Sequence, residues 1–150
     1  MAGYKSHIIA YLVLACAATY ALKEYPVLEL SALSLLAALF IGCVYSILPD
    51  IDAPSSIIRR AAERLSLALI VALSVAYVFF REMILIYAGI AVASCLLILW
   101  FLKHRGFFHT VLAGALLSIP WALADPVYSV YAFLGYAAHL LADGGIKRLF

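Results

Sequence analysis

The chain has 150 residues, of which 68% are hydrophobic and 12% charged, and its mean hydropathy is +1.12. Soluble domains run nearer half apolar and a quarter charged, so the composition excludes a water-soluble globule and points to a membrane protein. A net charge of +2, with no basic run longer than two residues, argues against a nucleic-acid partner.

Long apolar runs predict six helices in one domain covering residues 1–150: Ile8–Leu22, Val27–Leu48, Leu65–Phe80, Met83–Leu102, Phe107–Ala124 and Val127–Ala142. The first run has no small-residue cleavage pattern and is followed by further spans, so it reads as a helix and not as a secretory signal. The first and third runs are short for a full crossing and would thin the bilayer or borrow flanking residues. Breaks fall at "KEYP", "PDIDAPSSIIRR", "RE", "KHRG" and "DP". Within the second of these, Ser55 or Ser56 is placed to cap a short interfacial helix ahead of the third span. Cys16, Cys43 and Cys95 lie far apart in apolar stretches without C-x-x-C spacing and read as packing residues. The expected fold is an all-α, multi-pass membrane bundle of about six transmembrane helices.

Six spans put the N-terminus, the second-to-third loop, the fourth-to-fifth loop and the C-terminus on one side. That side carries Lys5, Arg59, Arg60, Arg64, Lys103, Arg105, Lys147 and Arg148, leaving only Lys23 and Arg81 of the ten basic residues for the other. The bias places both termini in the cytoplasm and the protein in the inner, or plasma, membrane. Most of these cations, Arg59 and Arg60 among them, read as topology anchors.

The four histidines, His7, His104, His109 and His139, all fall at that same side, as do Asp50, Asp52 and Asp143. His7 opens the first span and the two aspartates close the second. His104 and His109 flank the turn between the fourth and fifth, and His139 and Asp143, four apart, share one face of the last turn of the sixth. Asp125, before Pro126, reads as a turn residue at the opposite side. Ionisable groups at the edge of a span are costly unless paired, hydrated or bound to metal. Imidazole with carboxylate suits zinc foremost, and manganese or iron. Seven candidate ligands exceed the four of a tetrahedral structural site, which leaves room for one or two divalent ions with a bridging aspartate; paired ions of that kind activate water and clamp a phosphoryl group. Asp52, Arg105 and His109 are the candidate catalytic residues. Arg105, within "HRGFFH", offers a planar fork to an anionic substrate, and Ser55, Ser56 and Thr110 offer hydroxyls.

Three segments, "LPDIDAPSS", "HRGFFHT" and "GYAAHLLAD", resemble in order and spacing the signatures of the YdjM-like family of inner-membrane, metal-dependent hydrolases. The resemblance implies ligand roles for His7, Asp50, Asp52, His104, His109, His139 and Asp143, the set that the topology reaches by itself, and matches Arg105 to the arginine of the family's HRG element. The chain departs from the pattern at Phe108, where a threonine is usual, at Ala53, where a histidine often follows the aspartates, and in its short end "GGIKRLF". Thr110 stands where the family usually has a serine and keeps the hydroxyl. The departures spare the ligand set and bear on substrate positioning.

Two readings follow. In one, the protein is a membrane metallohydrolase acting on a phosphoester or lipid-like substrate drawn from the bilayer. In the other it binds a divalent metal without catalysis, as a transporter, a sensor or a metal-stapled bundle. A transporter needs a polar route through the membrane, and the middles of the third and fourth spans offer only Ser74, Ser94 and a few tyrosines. That favours a one-sided site and the hydrolase. Small residues such as "AGALLS" in the fifth span could pack helices within a chain or between copies in a homo-oligomer.

Overall fold

The computed structural model describes residues 3–22, 31–102 and 106–144, and every regular element among them is helical. The α-helices are α1 (Tyr4–Leu22), α2 (Ala32–Tyr45), α3 (Ile57–Phe80), α4 (Met83–Phe101), α5 (Val111–Ser118) and α6 (Pro126–Ala142). Short 3-10 turns occupy Leu48–Asp52, Phe107–His109 and Ile119–Leu123. The chain divides into two compact units, one formed by Met1–Pro49 with Phe107–Phe150, the other by Asp50–Gly106.

In the first unit α6 is the central helix, packed by α1, α2, α5 and the turn Ile119–Leu123. Its start is written locally: Asp125 accepts a hydrogen bond from the Val127 N–H at 2.9 Å, and Pro126 takes the first helical position, where no N–H is needed. The expected turn residue is therefore a helix cap. At the other end Gly144 adopts φ +68°, the left-handed conformation that closes a helix at least cost when the residue is glycine. Tyr11, Ala15, Ala38, Val127, Tyr131 and Ala138 form the core between α1, α2 and α6.

Close helix crossings in lipid need small residues, because lipid offers no hydrophobic penalty to drive bulkier helices together. Here Gly42 of α2 meets Gly135 of α6 so closely that a Cβ on Gly135 would overlap the Gly42 carbonyl oxygen. A Cβ on Gly42 would overlap the Tyr11 ring. Tyrosine hydroxyls then tie the helices together. Tyr11 donates to the Leu39 carbonyl at 3.2 Å. Thr19 donates to the Ala15 carbonyl at 2.7 Å, so the 2.6 Å contact between Thr19 and Tyr131 has the Tyr131 hydroxyl as donor.

The segment Phe107–Ala124, expected as one span, is broken. Pro120 lacks an N–H and its ring clashes with the preceding turn, so α5 stops at Ser118 and the chain tightens into a 3-10 turn. The carbonyl of Leu117, left over at that end, accepts the Tyr45 hydroxyl at 2.7 Å, which itself accepts Trp121 Nε1 at 2.8 Å.

The second unit is a hairpin of α3 and α4. Ser56 caps α3 by accepting the Arg59 N–H at 3.1 Å. From there the helix runs unbroken to Phe80, so the short interfacial helix expected before the third span is its first turns and not a separate element. Nothing in "IIRRAAERLSLAL" breaks a helix, and only a change from polar to apolar residues suggested a boundary there. Arg81 turns the chain at φ 57° and donates its N–H to the Tyr77 carbonyl at 2.9 Å.

Val71, Phe79, Trp100 and Phe101 point outward from this hairpin, and α4 has no buried residue at all. Such a surface belongs in lipid, with all backbone bonds satisfied inside each helix. Among the described residues, three stretches are long and apolar enough to cross a membrane: Ala32–Asp52, Ile57–Phe80 and Met83–Phe101. Val111–Leu123 is apolar but shorter.

Candidate metal centre

His139 is the hub of the polar cluster. It lies on the last turns of α6, fully buried, and its Nδ1 is 2.9 Å from the carbonyl oxygen of Ser46, the residue that ends α2. A carbonyl only accepts, so Nδ1 carries the proton and the neutral ring keeps its lone pair at Nε2. This is how imidazole ligands are usually oriented, with the second nitrogen held by a backbone carbonyl or carboxylate.

Three other side chains of the same unit close on it. His7, from the first turn of α1 and fully buried, stacks on His139 with ring centroids 4.0 Å apart and planes 19° apart. His109 ends the 3-10 turn Phe107–His109 and meets His139 edge-on, at 5.3 Å and 73°. Asp143 caps α6 one turn beyond His139, with its Oδ1 3.8 Å from His7 Nε2. The spacing of four residues thus delivers what it implies, a histidine and a carboxylate on one face.

His109, His139 and Asp143 each present a ligand atom, and these atoms lie within 4.8 Å of one another. Two donors at about 2.1 Å from one ion are separated by at most roughly 4.2 Å, so side-chain shifts of well under an ångström would let all three share an ion. Two imidazoles and a carboxylate form the donor chemistry of zinc, manganese or iron sites. The cluster of aspartate and histidine can hold a metal ion, and its residues fit one.

The two aspartates that close the second apolar stretch lie in the 3-10 turn Leu48–Asp52. The boundary between the compact units falls at the Pro49–Asp50 peptide bond, so Asp50 follows by four residues the Ser46 carbonyl that holds His139. Asp52 is buried. Of the candidates for substrate contact, Ser55 is exposed and Ser56 is engaged as the α3 cap. The Thr110 hydroxyl accepts the Ala113 N–H at 3.1 Å and donates to the Phe107 carbonyl at 2.8 Å, capping α5 and bracing the turn that carries His109. His104 and Arg105 lie outside the described residues.

Two contributors were not legible beforehand. Tyr136, one turn before His139, donates its hydroxyl to the Phe108 carbonyl and so clamps the segment ending in His109 against α6. Its place in "GYAAHLLAD" was the available signal, but a tyrosine in an apolar run reads as packing. Arg59, expected to be an anchor, is only 4% exposed, and its side chain bonds Glu63 and the carbonyls of Ile51 and Leu99. The i,i+4 spacing of Arg59 and Glu63 was visible, whereas the two carbonyls come from segments that no local pattern connects. Arg60, by contrast, is exposed, as an anchor should be.

No curated protein and no solved structure gives a significant match to the chain. The sequence profile of the YdjM inner membrane protein family matches residues 1–148, a span that takes in all three signature segments and every one of the four histidines. The chain therefore belongs to the YdjM inner membrane protein family, and its apolar helices lie in the membrane.

Proposed function

We propose that the protein is a membrane-embedded, metal-dependent hydrolase acting on a phosphoester or lipid-like substrate. The observation that carries this reading is the buried trio His109, His139 and Asp143, with ligand atoms within 4.8 Å and the His139 tautomer set by Ser46. His7 stands against the same group, and the sequence reading counts Asp50 and Asp52 as further ligands. Zinc is the favoured ion, with manganese or iron as the other candidates and one or two ions per chain. When bound, such an ion supplies Lewis acidity and a water that ionises near neutral pH.

The residues' own tasks follow from their chemistry. His139, with Nδ1 donating to Ser46, offers only Nε2, which prevents a competing ring orientation. Asp143 places negative charge beside His7 and His139 and so favours a cation among them. Asp52 and His109 are the candidate catalytic groups, and Arg105 supplies a guanidinium for the substrate's anionic head. Ser55, exposed ahead of α3, is the remaining hydroxyl for that head, with Ser56 and Thr110 contributing mainly as caps. The excess of basic residues on one side supports a site at the cytoplasmic face. A substrate taken from the bilayer matches a polar cluster set among apolar helices.

One observation favours the second reading. His7 and His139 are both fully buried, as ligands of a closed structural metal site are. Phosphate release from phosphatidic acid vesicles and from a soluble aryl phosphate separates the two. The hydrolase reading predicts metal-dependent turnover on at least one of them, lowered about a hundredfold or more by His109→Ala. A protein that holds its metal in full and releases no phosphate from either is a metal-stapled or metal-handling bundle.

A further inference from the structure

Tyr136, His139 and Asp143 are spaced three and then four residues apart, so they follow one face of α6 to its end. Two of them are candidate ligands and the tyrosine is not. Tyr136 is nevertheless fully buried, and its hydroxyl donates to the carbonyl of Phe108, the residue directly before His109. A tyrosine needed only for packing could be a phenylalanine. The hydroxyl is what selects the carbonyl beside the third candidate ligand.

The ring is placed as closely as the hydroxyl. It shares a buried cluster with Ala113 and Leu140, and Val111 and Leu117 pack against that cluster. Gly114 of α5 leaves the space the ring occupies, since a Cβ there would lie 2.6 Å from its Cδ1. Ring and hydroxyl thus register two pieces of chain on α6: the helix α5 and the turn Phe107–His109. Thr110 joins those pieces into one body. Its hydroxyl accepts the Ala113 N–H at 3.1 Å and donates to the Phe107 carbonyl at 2.8 Å, and its N–H bonds the same carbonyl at 3.1 Å. His109 rides on that body, whereas His139 and Asp143 ride on α6 itself. All of these residues belong to the first compact unit.

We infer that Tyr136 is a positioning residue that sets where His109 stands relative to the ligand atoms of His139 and Asp143. The inference rests on the metal reading above and concerns the three ligands that one unit supplies. Metal–ligand distances are held to within about 0.2 Å, so a small slip of the body carrying His109 along α6 would take its nitrogen out of range. Tyr136 acts through the backbone beside His109, and metal affinity should depend on its hydroxyl.

The test uses the full chain in detergent, with zinc and cobalt(II) as probes. Zinc affinity is measured by competition with a chromophoric chelator, and the visible bands of bound cobalt report its coordination geometry. Tyr136→Phe keeps the ring in the space beside Gly114 and removes only the hydroxyl. Its zinc affinity falls by about 10–100-fold, the usual cost of losing an outer support, and its cobalt bands change while the far-ultraviolet helical signal persists. Tyr131→Phe is the matched control, because it removes a buried hydroxyl from the same helix, bonded there to Thr19. It should bind zinc within about twofold of wild type, with unchanged cobalt bands. A folded Tyr136→Phe protein that binds zinc within about twofold of wild type overturns the inference. So does a Tyr131→Phe protein that loses as much affinity as Tyr136→Phe, since the hydroxyl would then serve only the fold. Should Tyr136→Phe fail to fold, Gly114→Ala, which displaces the ring and leaves the hydroxyl, is judged by the same criterion. A wild-type chain that binds no zinc fails at an earlier step: it removes the metal reading itself, and ligand positioning with it.

Discussion

His139→Asn is expected to strip the protein of its metal and leave its helices standing. The asparagine amide reaches about where Nδ1 stood and can still donate to the Ser46 carbonyl, the 2.9 Å bond that joins the end of α2 to α6. It offers nothing at the position of Nε2. The loss is therefore confined to the ligand, and affinity for zinc should fall by more than the roughly 10–100-fold that an outer partner costs. Thermal unfolding in detergent should change by about 1 kcal/mol or less, the scale of one altered hydrogen bond. Chelator competition measures the first and circular dichroism the second. Wild-type zinc affinity in this variant would remove His139 from the ligand set and break the trio on which the functional reading stands.

Gly135→Ala should unfold much of the first unit. The new methyl group has no vacant space ahead of it and no side chain to displace; it meets the Gly42 carbonyl oxygen, which is backbone inside α2. Relief requires α2 and α6 to separate, and with them the Tyr11, Ala38, Val127 and Tyr131 core. The cost belongs at the upper end of overpacking, about 3 kcal/mol or more. Gly89→Ala is the matched control, since nothing lies within 4 Å of a Cβ built there and it sits inside α4. That change should be neutral or stabilising by about 0.5–1 kcal/mol, because alanine suits a helix interior better than glycine. Unfolding temperatures of the two variants should move in opposite directions or, at the least, by very different amounts. Equal shifts would mean that the glycine crossing does not hold the helices together.

Much of this was readable from the chain because the relevant signals are short-range. Apolar runs and their breaks give the helices, Ser55 or Ser56 marks a start, and four-residue spacing puts His139 and Asp143 together. Chemistry-bearing residues are so scarce in a sequence this apolar that those present at one side draw attention, which is how His7 and His109 were found without any local motif joining them. What escaped notice depends on three-dimensional partners. Pro120 breaks the fifth span in the middle of an apolar run, where hydropathy barely changes. The continuity of α3 was hidden by its switch from polar to apolar residues, although the backbone has no reason to stop. Ser46 contributes a carbonyl, which no residue type advertises, and Arg59 looks like any interfacial cation until its acceptors are seen. His104 and Arg105, prominent in the sequence, lie outside the described residues, so their place in the site stands as a proposal.

The most direct test of the central claim is elemental analysis of the detergent-purified chain, wild type beside an Asp50→Ala/Asp52→Ala double variant. The account predicts zinc, manganese or iron near one or two ions per wild-type chain, falling sharply in the variant, because the sequence reading counts both aspartates among the ligands. If both proteins are metal-free after reconstitution with divalent ions, the aspartates are not ligands. The metal-dependent hydrolase is then the wrong reading of this site.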